Sequence, residues 1–298
     1  MAPTADVVAP PEIRELDPGR GGDDQVARVR IGECAPPTLD RIGLREHILL
    51  AARVPAVRGR AEPKLVAVAP RHSVLLFAEE DDVALWVDER APLTAFLRDH
   101  LGMHVIEETD TFTLAGIDAK LGKLTLFDAD GPRQRGALER VVLRVNDLDA
   151  VLGSLPFDAG RHDGVAAFEA PAGLPLGLVE ADGRDFDLDH VVLSLEDPET
   201  ATQRLEDMGF ERRPDGSVAV GDRHVRVVRG SAADGGRPLL NHLALLVDDA
   251  HGVRDEAEGA GLEIDDVKDA KNTFAVFLRG PEGLRIEYVE HKPGFALV

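Results

Sequence analysis

The sequence predicts an α+β fold made of four βαβββ modules in tandem, and two observations predict it. The first is a repeat. The stretch "DDVALWVDERAPLTAFLRDHLGMHV" from Asp81 and the stretch "DHVVLSLEDPETATQRLEDMGFERR" from Asp189 share one plan. Each is an apolar strand, an acidic turn, an amphipathic helix, then a Gly and an apolar residue opening a second strand. "ERVVLRVNDLDAVLGSLPF" from Glu139 answers to "NHLALLVDDAHGVRDEAEGAGLEI" from Asn241, and "PAGLPLGLVE" from Pro171 to "PEGLRIEYVE" from Pro281. The three pairs are offset by 108, 102 and 110 residues in the same order, which marks an internal duplication of roughly a hundred residues. The second observation is the order within each copy, strand, helix, strand, strand, strand, read twice over. It places helices on one face of a mainly antiparallel sheet and leaves the other face free to curl into a cup.

Taken along the chain, residues 1–24 are rich in Pro, Gly and acids and read as a flexible tail without a secretory signal pattern. Residues 25–80 read as an N-terminal extension, with a helix in "TLDRIGLREHILLAAR" after a Thr38 cap and strands in "PKLVAVAP" and "HSVLLFAEE". The first copy is expected over 81–182 and the second over 185–292. The polar, Gly-containing stretch "EADGRDFD" from Glu180 lies between them.

Composition limits the partners. The net charge of -21 repels phosphates, so nucleic acid and anionic membranes are not expected partners, and a small molecule is. No apolar run reaches membrane-spanning length. The single cysteine, Cys34, excludes an intramolecular disulfide framework and a Cys-rich zinc site. A cytoplasmic protein, with homo-oligomerisation open, is the expectation.

Alternation with a period of two assigns the strand faces. In "DHVVLSL" the residues Val191, Leu193 and Leu195 share one face and His190 lies on the other. In "NHLALLV" the apolar set is Leu243, Leu245 and Val247, opposite His242. In "LRIEYVE" it is Leu284, Ile286 and Tyr288, opposite Glu287. With the apolar sets under the helices, His190, His242 and Glu287 are expected to project into one cup. Two imidazoles and a carboxylate there suit a divalent metal, Fe(II), Mn(II) or Zn(II), with coordination positions left open. The first copy has Asp82, Arg140 and Gly177 at the matching places. The fold is therefore built without His, His and Glu, which points those residues toward chemistry. His224, in "GDRHVRVV", is a candidate general acid or base.

On these residues the second copy resembles a vicinal-oxygen-chelate domain, the superfamily of glyoxalase I, bleomycin-resistance proteins and type I extradiol dioxygenases. The resemblance runs from about Asp81 to His291 and is strongest from Leu188 onward. It implies that His190, His242 and Glu287 hold Fe(II), and that the chain is an extradiol-dioxygenase-like oxidoreductase acting on a catechol-type aromatic diol. Extradiol enzymes also carry a His before the seventh strand and a Tyr at its end. Here "DDVKDAKNTFAVFLRGPEG" has Leu278 at the Tyr place and Asp269, Lys271 and Asn272 near the His place. The alternatives are a metal-dependent glyoxalase, isomerase or lyase on the same scaffold, and a non-catalytic binding protein of the bleomycin-resistance kind.

Overall fold

The computed structural model describes residues 79–117, 122–231 and 236–295. The tail and the extension expected before Glu79 lie outside the described residues. Within them the βαβββ module recurs four times. The first is β1 (Glu79–Val87), α1 (Arg90–Leu101), β2 (His104–Glu108), β3 (Phe112–Gly116) and β4 (Lys123–Asp128). The second is β5 (Leu138–Val145), α2 (Leu148–Ser154), β6 (Gly160–His162), β7 (Val165–Ala170) and β8 (Leu174–Glu180). The third is β9 (Asp187–Leu195), α3 (Pro198–Asp207), β10 (Glu211–Arg212), β11 (Val218–Val220) and β12 (Arg223–Arg229). The fourth is β13 (Leu240–Leu246), α4 (Ala250–Ala260), β14 (Ile264–Asp269), β15 (Thr273–Arg279) and β16 (Arg285–His291).

The local chemistry explains the boundaries. Asp147, Asp197 and Asp249 each accept a hydrogen bond from a first-turn backbone N–H and so start α2, α3 and α4. Gly102 and Gly261 end α1 and α4 in the left-handed conformation, which costs a glycine little. The duplication extends to backbone detail. In the turns Pro171–Gly173 and Pro281–Gly283, Ala172 and Glu282 both adopt positive φ, 59° and 50°.

Strand pairing departs from the expectation that each copy closes its own cup. One eight-stranded sheet runs β14-β15-β16-β13-β1-β4-β3-β2, and the other β10-β11-β12-β9-β5-β8-β7-β6. The first module thus pairs with the fourth, through antiparallel β1 and β13. The second pairs with the third, through antiparallel β5 and β9. The connections supply the reason. The link from β8 to β9 spans only 181–186, so the third module folds back beside the second. The links into the second and fourth modules then run side by side. Gln134 N–H donates to Arg237 O at 3.0 Å and Gln134 O accepts from Leu239 N–H at 2.6 Å. The outer modules are left to complete each other.

The face assignments hold at the centre of both sheets. Val83, Leu85 and Val87 of β1, Leu243 and Leu245 of β13 with Val247 just after it, and Val191, Leu193 and Leu195 of β9 are all buried in one core with the helices. Each such Leu or Val contributes about 1.5–3 kcal/mol by leaving water. The core spans both sheets. Phe96 of α1 lies on Phe157 and Phe168 of the second module, at centroid distances of 5.8 and 6.2 Å. Tyr288 of β16, fully buried, donates its hydroxyl to Met208 O at the end of α3, at 2.6 Å. Burial pushes this phenol well above its ordinary range, so it is a structural donor, as its place in the apolar set of β16 requires. Tyr288→Phe strands the Met208 carbonyl and is expected to cost about 1–3 kcal/mol, read as a lower urea midpoint with an unchanged slope.

Candidate functional site

The cup of the β1–β13 sheet forms an open cavity of about 470 Å³, within the size range of small-molecule sites. Phe112, Phe127, Phe277 and Phe295 contribute to its walls. Asp82, Lys123, Thr125, His242 and Glu287 gather at its polar end. Register brings them there. Asp82 of β1 lies beside Lys123 of β4 and opposite Ala244 of β13, Ala84 lies beside Thr125 and opposite His242, and Ala244 lies beside Glu287 of β16.

His242 Nε2 meets Glu287 Oε2 at 2.8 Å, with both side chains largely buried. Phe277 packs edge-on against the imidazole at 5.3 Å, and Arg285 covers the other part of that phenyl ring, 4.4 Å from its centroid. Asp82 is 6% exposed. Its Oδ2 accepts from the Thr125 hydroxyl. Burial raises its carboxyl above the ordinary range, against the opposing pull of Lys123, the Thr125 hydrogen bond and His242. Two buried atoms here have no hydrogen-bond partner, Asp82 Oδ1 and His242 Nδ1. Unsatisfied polar atoms cost free energy, and their presence at a cavity marks a place for a ligand or ion.

On the cup face of the other sheet Val142, Val165 and Val192 form a small buried cluster, with Val179 packed against them. Gly177 makes room for Arg140: a Cβ at Gly177 would come within 2.6 Å of Arg140 Cδ and 2.9 Å of Val165 Cγ1. That is why the second module has a glycine where the fourth has Glu287. At the edge of this cup His190 stacks on His224 of the neighbouring parallel strand, with centroids 4.6 Å apart and planes 18° apart. His190 Nδ1 contacts Asp189 Oδ1 at 2.6 Å. Burial works to raise the Asp189 carboxyl, but the His190 contact and the Arg144 guanidinium hold it low. The ligand atoms of Asp189, His190 and His224 all lie within 4.8 Å of one another.

Of the residues expected to converge, the structure therefore brings His242 and Glu287 together and places His190 in the other sheet with His224. Asp82 occupies the place at the cavity expected for His190. Alternation already put Asp82 on a cup face; the signal missing from the sequence was which module its strand would pair with.

Burial, and then the neighbouring His190, lower the His224 imidazole to about 4. The folded chain thus resists a proton that the unfolded chain accepts near 6.5. Stability is expected to be unaffected by this group above about pH 6.5 and to decline as pH falls from there toward 4. His224→Gln removes that decline, which urea midpoints for both chains between pH 7.5 and 4.5, at about half-unit steps, would reveal.

The family model described as Glyoxalase/Bleomycin resistance protein/Dioxygenase superfamily matches residues 80–216. No curated protein matches the chain in sequence. Among solved structures, a putative dioxygenase from Bacillus subtilis aligns with a TM-score of 0.61 at 19% identity, covering 75% of this chain and 87% of its own. Glyoxalase I from Zea mays aligns with a TM-score of 0.61 at 14% identity, covering 72% of this chain and 92% of its own. These likenesses establish the fold. Residues 80–216 thus match the Glyoxalase/Bleomycin resistance protein/Dioxygenase superfamily model, and the βαβββ module recurs through the rest of the described residues.

Proposed function

We propose that the chain is a divalent-metal-dependent enzyme whose substrate enters the cavity of the β1–β13 sheet, with Asp82, His242 and Glu287 holding the ion. The observation that carries this reading is the polar end of that cavity. His242 and Glu287 already touch, and Asp82, which lines the same cavity on the neighbouring strand, has a buried Oδ1 without a hydrogen-bond partner. Two carboxylates and one imidazole fit a hard or borderline ion such as Fe(II) or Mn(II), and suit Zn(II) less. Two buried carboxylates without a full complement of positive charge also favour a bound cation. The metal would polarise adjacent oxygens of a bound substrate. The chain's own residues do the rest. The phenylalanine walls exclude water and hold a flat ring, while Thr125 fixes the Asp82 carboxylate in place. A catechol-type diol and an extradiol-dioxygenase-like reaction fit that shape, and the fold likeness to a putative dioxygenase supports the same choice.

The test is metal content per chain after anaerobic incubation with Fe(II), Mn(II) or Zn(II), for wild type, Asp82→Asn and Glu287→Gln. About one ion in wild type and a loss of at least tenfold in affinity in each variant is the expected result, as for loss of a charged ligand. Oxygen uptake with catechols then separates the dioxygenase from an isomerase or lyase, which consumes none. A second reading has its own observation, the three donor atoms of Asp189, His190 and His224. If that group holds the ion, Asp82→Asn leaves the metal in place and His224→Ala removes it. That group lies beside the Arg144 guanidinium as the first lies beside Lys123, so the metal content of these variants decides between the two.

A further inference from the structure

Lys123 is the remaining group at the polar end of the cavity. It is 3% exposed, on the cup face of β4, beside Asp82 in register. Lysine is among the residues least often buried to this extent, because its charge must be compensated and its long side chain ordered. The fold does not demand it. By strand register the corresponding places in the other modules hold Pro175, His224 and Arg285, beside Arg140, His190 and His242.

Charge along the whole lining points the same way. Glu107, Asp82 and Glu287 are its carboxylates, and Lys123 and Lys271 its ammonium groups, with His242 and His291 counted as neutral. Alone, the lining carries one net negative charge. With the divalent ion of the proposed function it carries one net positive charge, which favours an anionic ligand at the buried end where Lys123 stands. We infer that the cavity selects an organic monoanion, an aromatic or similarly flat acid, and that Lys123 binds its carboxylate oxygen. Lys123 is then a specificity-determining residue, and the inference rests on the proposed function for the position of the ion. The Asp82 carboxylate on the neighbouring strand is near enough for its charge to act on the ammonium, while the aromatic walls take the body of the ligand.

Benzoate and benzamide test this, because they share one shape and differ in charge. Trp86 is the only tryptophan of the chain and lies 5.4 Å from Phe127 of the cavity wall, so its fluorescence reports occupancy. Titrations use the full chain loaded with Mn(II), with the metal content measured on the same samples. Benzoate is expected to bind about ten- to a hundredfold more tightly than benzamide, the range for a hydrogen bond to a charged group. Lys123→Met should abolish the difference, and Lys123→Arg should retain much of it. Equal affinities in wild type overturn the inference without any variant, and so does a preference that survives in a folded Lys123→Met protein. The two readings fail separately. A chain that takes up no Mn(II) sinks the metal reading, whichever ligand it prefers. A metal-loaded chain indifferent to charge sinks this one.

Discussion

His242→Ala is expected to reduce bound divalent metal from about one ion per chain to background while the fold survives. The expectation follows from where His242 stands. Its backbone is held by the central β1–β13 seam, and its side chain faces the cavity, away from the common core. The corresponding first-strand positions of the other modules hold Asp82, Arg140 and His190, so no single side chain is needed there for folding. The loss to stability is the Glu287 contact and the edge-on packing of Phe277, about 1–3 kcal/mol. A lower melting temperature with a native circular dichroism spectrum and no retained metal would agree. A wild type that never binds metal, together with a variant that unfolds, would make His242 a structural residue and overturn the proposal.

The sequence showed more of this fold than of this site, for a physical reason. Period-two alternation is a local property of each strand, so the faces of β1, β9, β13 and β16 could be read from a few residues each. That reading placed Tyr288 in the core and Glu287 in a cup, where the structure has them. The module order was legible because duplication leaves a period in the sequence. Strand partnership is different. Whether β13 closes against β9 or against β1 depends on connections such as 129–137, 181–186 and 230–239, whose residues carry no periodic signal. The same four modules can be paired in either way without changing the face of any side chain. Hence His242 and Glu287 could be identified together, being parts of one module, while the partner across the cup could not. Exchange of partners put Asp82 there in place of His190. The Gly177–Arg140 contact is likewise a product of packing between strands, visible only once β5 and β8 are side by side.

That partner exchange leads to the second large expected effect. Val83 of β1 and Leu243 of β13 are register partners in the middle of the antiparallel seam, with regular pairs on either side. Residues directly opposite in such a ladder have Cα atoms about 4.5–5.5 Å apart, which is within the reach of a disulfide. In a Cys34→Ser background, Val83→Cys with Leu243→Cys is expected to oxidise within one chain to near completion. Each single variant should keep its thiol. The bond closes a loop of roughly 160 residues, for which the chain-entropy model gives a stabilisation of about 5 kcal/mol. Lost packing at two buried positions offsets about 2–4 kcal/mol of that, so oxidation should still raise the melting temperature above that of the reduced double variant. Proteolysis of the oxidised protein should yield a peptide from the first module covalently joined to one from the fourth. If consecutive modules closed each cup instead, these two strands would belong to different sheets. The thiols would then stay free, or would link separate chains. The same outcome would remove Asp82 from the company of His242 and Glu287, so the geometry of the seam and the identity of the third ligand stand or fall together.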